Sequence, residues 1–554
     1  MNVVPRQAAR VATWAPKRWL VALAVVAPNA LRPSVAHAVE AAVEGAVSAQ
    51  GYDVVSPFGD VILGRRRMTT TLGFAAYDLE GNQDPLAADY SVHVRMRIDA
   101  DFGVDDAEAN YDASNRSRFV PGLAYSPIDL MHGYVEARNI ARGLFGVRVG
   151  RQMTTNVLGW WTFDGGLVRL TTPYFFAVEA FGGFEQRGGL PLSTPRYEAQ
   201  GVWRGARNGG LADEPQVFPS FQEASLAPAF GAAIESSGPN WVHGRFDYRR
   251  VYNSGGAFTS QFPAPGGGGL EEVSGLRISH ERLGYALTAF LSDVGSARGG
   301  FVYDVYAAAL SRAYGGLEAR VGESTTVGLD GEFFLPTFDA DSIFNWFAHN
   351  PSITALARVA TRPTPRLELS GQAGTRLWLT DGSPAGFAAA ECTAAGFATP
   401  ELERACLEYG LEPTTGPEAE FVRASASRGT VIAPDLLASF GATHRWGTGR
   451  ATARANLETG FGGTDSDRGR RVGGTLSAHQ DIVPGTLALG GRVSTYEWHN
   501  PLRPDRDATS FGYVVAPEVA PVERTKVRIE WEHDMNRLVG HRFRVVGTLT
   551  VEVP

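Results

Sequence analysis

The sequence predicts an all-β protein: a single large antiparallel transmembrane β-barrel of about 20–22 strands, with a range of about 16–24, carrying short periplasmic turns and long extracellular loops. Three observations predict it. The N-terminus reads as an export signal, and no later run of eighteen apolar residues follows that would make a helical span. Stretches of ten to fourteen residues alternate one apolar wall with one charged wall. Between them, tight connections alternate with long ones.

In residues 1–38, Arg6, Arg10, Lys17 and Arg18 precede the apolar run Trp19–Ala27, and Ala36-His37-Ala38 offers a small-x-small cleavage site. Removing this signal peptide, which holds five basic residues and no acid, takes the formal charge from −8 to −13. An exported chain without a helical anchor is periplasmic, secreted or an outer-membrane barrel. Residues 39–67 read as a periplasmic lead-in with one short strand around 54–63, and residues 68–554 as the barrel.

The defining stretch is Tyr90–Phe102, YSVHVRMRIDADF. Tyr90, Val92, Val94, Met96, Ile98, Ala100 and Phe102 make its oily wall, and Ser91, His93, Arg95, Arg97, Asp99 and Asp101 the charged one. At about 3.3 Å per residue and a tilt near 45°, such a strand spans a bilayer's hydrocarbon layer. The same pattern marks strands at 68–79, 130–140, 144–153, 172–184, 196–204, 227–236, 240–252, 270–281, 284–293, 301–312, 316–335, 352–361 and 366–380. It continues at 432–445, 450–461, 470–480, 486–498, 511–520, 524–534 and 541–553. Tight turns are expected at 141–143, 282–283, 313–315, 362–365, 446–449, 482–485 and 521–523, and long loops at 103–129, 205–226, 253–269, 336–351 and 381–431. Soluble sandwich strands are shorter, and a propeller would repeat about every forty residues, which this chain does not.

In the 381–431 loop, Thr399-Pro400 followed by ELERACLEY and Gly410 reads as a short capped helix. Cys392 and Cys406, close together in an exported chain, read as a disulfide tying that helix down. Closing such a loop stabilises by roughly 3 kcal/mol on the chain-entropy model. The pinned helix would either constrict a pore or resist proteases.

The negative charge argues against nucleic acid as a partner. Nucleophile-elbow, zinc-protease and phosphate-loop motifs are absent, so no enzyme and no cofactor is expected. The acidic run containing Asp101, Asp105 and Asp106 is a weak Ca²⁺ candidate without a defined loop spacing, and no other metal site is expected. Rings of charged side chains set ion preference in pores. The candidate pore-lining residues are His93, Arg95, Arg97, Asp99, Glu136, Arg138, Arg148, Arg245, Asp247, Arg249, Arg454, Glu458, Arg528, Glu530 and Arg544. The competing reading is that these charges pair and fill the barrel.

At Gly146-Val147-Arg148-Val149-Gly150-Arg151-Gln152, followed by Trp160-Trp161-Thr162-Phe163-Asp164-Gly165, the chain resembles bacterial outer-membrane porins of the alginate-export and phosphate-selective type. The resemblance covers one hairpin, with the aromatics in the loop that follows the arginine strand. It implies an outer-membrane channel for small polar or anionic solutes, with Arg148 and Arg151 at the pore or its rim. It also implies partners in outer-membrane lipid, a small solute and the barrel-assembly machinery, as a monomer or a trimer. The chain departs from the usual pattern by ending Val551-Glu552-Val553-Pro554 without a terminal aromatic. A non-conducting barrel (scaffold, receptor or hydrolase) and a secreted soluble β protein are the alternatives.

Overall fold

The computed structural model describes residues 40–59, 61–80, 87–104, 128–186, 202–203, 216–217, 227–253, 257–259, 271–273, 275–291, 294–338, 351–379, 435–463, 468–499, 507–538 and 540–553. Twenty-two strands form one closed antiparallel sheet. They are β1 Glu40–Val55, β2 Val61–Tyr77, β3 Asp89–Val104, β4 Ile128–Asn139, β5 Phe145–Asn156, β6 Gly159–Thr171, β7 Phe176–Glu185 and β8 Pro228–Ser236. Next come β9 Val242–Asn253, β10 Arg277–Leu291, β11 Gly295–Asp304, β12 Ala309–Val321, β13 Thr325–Phe334, β14 Ser352–Thr364 and β15 Leu367–Trp378. The last are β16 Asp435–Trp446, β17 Gly449–Gly463, β18 Arg468–Val483, β19 Leu487–His499, β20 Ala508–Val522, β21 Thr525–Asn536 and β22 Gly540–Val553. Each pairs with its chain neighbours, and β1 pairs with β22 from Val43↔Val553 to Val55↔His541, so no edge remains. Two short ribbons lie outside the barrel sheet, Val202–Trp203 with Gln216–Val217 and Ala257–Thr259 with Glu271–Val273.

An even strand count brings the start of β1 and the end of β22 to one barrel end. The connections at that end, from 140–144 to 523–524, are short apart from 78–88. The opposite end carries 105–127, 186–227, 254–276, 335–351 and 379–434. Short turns on one side and long loops on the other follow the expected division.

Register assigns every strand residue to one of two faces. Contacts between strands that are not neighbours can form only across the inside of a closed barrel, and Asn156 Nδ2 of β5 donates to Asp247 Oδ1 of β9 at 2.9 Å. The face that carries them is therefore the inner one. The other face is apolar and open: Val149, Leu317 and Leu329 on it are 57%, 61% and 62% exposed. Large apolar side chains left uncovered around a closed barrel require an apolar surrounding. The outward ion pairs Arg66–Asp53, Arg151–Asp164, Arg250–Glu281 and Arg470–Glu497 lie toward the long-loop end. Charges on a lipid-facing wall cost about 2–4 kcal/mol at the bilayer midplane and about 0–1 kcal/mol near its surface.

Several boundaries differ from those expected. Residues 40–67, placed outside the barrel by sequence, form β1 and the start of β2, and the proposed 54–63 strand straddles their hairpin turn. Trp160–Gly165 lie in β6, not in a loop. The turns expected at 282–283 and 313–315 fall inside β10 and β12, and the chain turns instead at 292–294, 305–308 and 322–324. Of the 196–204 strand, Val202–Trp203 are described, in a short ribbon. The signal peptide, the Cys392–Cys406 pair and the capped helix lie outside the described residues, as do Asp105 and Asp106.

Candidate functional site

Register places all fifteen predicted lining residues on the inner face, because each shares a row with another inner-face residue. Asp99 is placed there opposite Thr69, by backbone alone. Sequence spacing did not reveal how these charges are partnered. Arg95 Nη2 meets Glu44 Oε1 at 3.2 Å across the intervening β2. Glu136 receives Arg148 at 2.7 Å and Arg138 at 3.4 Å. His93 stacks on Tyr134 with centroids 4.8 Å apart, and the Arg148 guanidinium lies over the same ring. Glu458 joins Arg376 and Arg471 at 3.2 and 3.3 Å, and Glu530 joins Arg528 and Arg544 at 3.0 and 3.3 Å. Arg97 is buried.

The densest network belongs to β6–β9. Arg245 reaches Glu179 at 2.6 Å, Glu235 at 2.8 Å and Asp247 at 2.9 Å, and Arg169 meets the same two glutamates at 2.5 and 2.9 Å. Two arginines thus share three carboxylates on the inner wall. Arg245 engages Nε, Nη1 and Nη2, and Arg169 Nη1 bonds both glutamates, the charge-assisted pairing under which partly buried charges are tolerated.

Beside this network, the wall itself turns inward. Strand β5 pairs with β4 only as far as Arg151↔Gly133, and β6 pairs with β7 only as far as Phe163↔Glu185. Yet β5 and β6 stay paired with each other to Asn156↔Gly159. The free hairpin leaves the wall at a row of three glycines, Gly150, Gly165 and Gly183, which are register partners on the inner face. A Cβ at Gly165 would stand 2.2 Å from Gly182 O, and one at Gly183 2.1 Å from Asp164 O. Gly150 also has φ +129°, a conformation that side-chain-bearing residues seldom adopt. Bending a sheet toward its inner face crowds that face, so the bend line must lack Cβ atoms.

The hairpin tip lands on β9 and β10. Besides the Asn156–Asp247 bond, Arg249 Nη2 donates to Leu158 O at 3.4 Å. Val157 and Leu158 fill the space over Gly284, where a Cβ would meet them at 2.6 and 2.7 Å. Behind the tip, Trp161 and Phe163 stack at 4.5 Å and pack with Phe181, Ala227, Ala229 and Val251. Arg249 covers the Trp161 ring at 4.9 Å and Nε contacts His280 Nε2 at 3.2 Å. Phe163 and Gln152 are fully buried. The inner wall therefore carries a small apolar core on one side, held by a hairpin that crosses part of the lumen. The aromatics Trp161 and Phe163 belong to that core. Arg151, implied at the pore or its rim, lies instead on the outer face, in one row with Gly133 and Asp164, and is tied to Asp164 at 2.7 Å beside the bend.

The wall around β17–β19 is different. Arg450, Arg454 and Arg492 point inward, are exposed, and have no carboxylate within ion-pair distance among the described residues. Arg454 sits between Gly441 and Thr475, Arg492 between Ser477 and Val514, and Arg450 between Arg445 and His479. Arg450, Arg492, His479 and Arg528 border a recess of about 260 Å³ that also takes in Glu518 and Glu530. Of these free arginines only Arg454 was among the predicted lining residues. Arg492 shares the inner phase of its strand and was legible on that ground. Elsewhere, Asp78, Glu80 and Asp89 bring carboxylate oxygens within 4.8 Å of one another at the short-turn end, a group the sequence reading had not singled out.

No protein-family model and no curated protein matches the chain. Among solved structures it is similar to OccAB4 of Acinetobacter baumannii, at 9% identity and a TM-score of 0.40, covering 93% of this chain and 98% of that one. It is also similar to the outer membrane protein opdK of Pseudomonas aeruginosa, at 9% identity and a TM-score of 0.36 over 93% and 98% of the two chains. For OccK9 (OpdG) of Pseudomonas aeruginosa the identity is 10%, the TM-score 0.35 and the coverage 93% and 98%.

Proposed function

We propose that this barrel is an outer-membrane channel through which small polar or anionic solutes diffuse passively, with its long-loop end outward. The observation that carries the reading is the contrast between its two faces. The outer face is an apolar band relieved by ion pairs only toward the long-loop end, as a lipid-embedded wall requires. The inner face carries charged side chains around most of its wall, and on β17–β19 it offers three exposed arginines with no carboxylate within ion-pair distance among the described residues. A guanidinium facing water attracts an anion and can bind carboxylate or phosphate with two parallel hydrogen bonds. The inturned β5–β6 hairpin, on the opposite part of the wall, narrows the passage past them. Assembly of such a barrel would fall to the barrel-assembly machinery.

Planar-bilayer recording on the purified, folded protein tests this. Discrete conductance steps, with a reversal potential favouring anions in a salt gradient, are the expected outcome. A heat-modifiable, outer-membrane-recovered barrel that gives no steps would overturn the channel and leave a scaffold or receptor.

A further inference from the structure

Among the ion pairs on the inner wall that skip a strand, three cross a glycine that is the register partner of both residues, whereas Arg169–Glu235, Arg245–Glu179 and Arg376–Glu458 cross strands without one. Glu44 of β1 and Arg95 of β3 meet over Gly73 of β2, which is the register partner of both. Arg298 of β11 and Asp330 of β13 meet at 2.8 Å over Gly316 of β12, again the partner of both. Glu318 of β12 and Arg358 of β14 meet at 3.4 Å over Gly328 of β13. Strands lie about 4.8 Å apart, so each bridge covers roughly 9.6 Å of wall and must lie flat across the middle strand. The flat course shows in the contacts. A Cβ at Gly316 would stand 2.4 Å from Asp330 Oδ1 and 3.0 Å from Arg298 Nε, and one at Gly328 would stand 2.7 Å from Arg358 Nε. Gly73 is looser, its nearest contact being Glu44 Cβ at 3.5 Å. Arg358 Nε also lies 2.8 Å from Asp330 Oδ2, so the second and third bridges form one tangential network.

We propose that Gly316 and Gly328 are width-determining residues of the channel, seats that let Arg298 and Arg358 recline on the wall instead of standing into the path. The inference rests on the channel reading. It explains why glycine, which weakens a strand interior, recurs on a face that otherwise carries long charged side chains. The atoms that a new methyl group would meet are mostly ends of flexible side chains, so alanine at either seat displaces the bridge without breaking the sheet. The lifted guanidinium then moves toward the barrel axis and loses its carboxylate.

The test compares Gly316→Ala, Gly328→Ala and their double variant with two controls. Gly331→Ala adds a methyl on the outer face of β13, where nothing lies within 4 Å, and Gly73→Ala fills the loose seat. In planar bilayers the two seat variants should give smaller conductance steps than wild type, the double variant smaller still, and both controls wild-type steps. A second readout does not need conduction: the rate at which phenylglyoxal modifies Arg298 and Arg358, read by mass spectrometry against the unpaired Arg454. Both arginines should react more slowly than Arg454 in wild type and speed up when their seats are filled. Unchanged modification rates in folded seat variants overturn the seats. Absent wild-type steps together with accelerated modification would overturn the channel and leave the seats standing.

Discussion

Filling the notch at Gly284 should release the inturned hairpin. Gly284→Leu places a side chain where Val157 and Leu158 now rest; its Cβ alone would come within 2.6 Å of Val157 Cγ1 and 2.7 Å of Leu158 Cδ2, about 1 Å inside normal carbon contact. Leu158 is 8% exposed, and burying a leucine is worth about 1.5–3 kcal/mol. Lifting the tip also stretches the 2.9 Å Asn156–Asp247 bond, a charged hydrogen bond of about 1.5–3 kcal/mol. Losing about 3 kcal/mol of docking, at 1.4 kcal/mol per factor of ten, shifts the ratio of docked to undocked hairpin by roughly a hundredfold. The assay is single-channel recording. The expected trace has larger steps than wild type, with excursions between two levels as the tip redocks. Gly284→Ala brings the same Cβ but none of the leucine atoms beyond it, so its effect should lie in the same direction and be smaller. A folded Gly284→Leu protein with wild-type steps and no second level would refute the placement of the hairpin in the path.

Other expectations follow from the same geometry. Gly165→Ala puts a methyl 2.2 Å from a backbone oxygen that cannot swing away, so the folded, heat-modifiable band should be lost; a normal band with unchanged melting would mean the bend line tolerates Cβ atoms. Converting Arg450, Arg454 and Arg492 together to Gln should move the reversal potential toward cations, and no shift in a conducting triple variant would place those side chains off the path. Asp247→Ala removes one of three carboxylates from Arg245 and the acceptor of Asn156, and because Arg245 keeps Glu179 and Glu235 the cost should be about 1.5–3 kcal/mol by denaturant titration, below the 3–5 kcal/mol of stranding a buried charge.

The two-faced strands were legible because lipid outside and water inside impose period 2 on each one, and Tyr90–Phe102 kept that phase without a break. Failures cluster where another constraint overrides the pattern. Strand β1, EAAVEGAVSAQGYDVV, is built of small residues that look like a linker, and only its pairing with β22 reveals its place. Strand β6 loses its alternation at Trp160-Trp161-Thr162-Phe163 because there it leaves the lipid wall and buries its inner face in protein. The turn at 305–308 has neither Gly nor Pro and is made with Ala308 at φ +51°, a conformation that propensity does not anticipate. Conversely, Ala313–Gly315 read as a turn, whereas these residues run on inside β12, where the adjacent Gly316 serves the close approach of a side chain. The inner phase of the charged residues was readable. Their partners were not: Asn156 and Asp247 are 91 residues apart, and only the closed barrel brings them together.

Partnering also decides what charge a solute would meet. The chain's formal charge of −8 suggests a lumen that repels anions. On the β1–β9 part of the wall, however, arginines and carboxylates lie in contact, as in the Arg245 and Arg169 network and the Glu44–Arg95 bridge. Opposite charges a few ångströms apart largely cancel beyond a Debye length of about 8 Å at physiological salt. What remains uncancelled toward the axis is set by residues without partners, and among the described strands Arg450, Arg454 and Arg492 supply three positive charges on β17–β19. Net charge and lumen field can therefore have opposite signs in one molecule. Raising the salt from 0.1 M to 1 M, where the Debye length falls to about 3 Å, should accordingly weaken the preference for anions. A preference that did not change with salt would point to steric selection at the hairpin and away from the field of the three arginines.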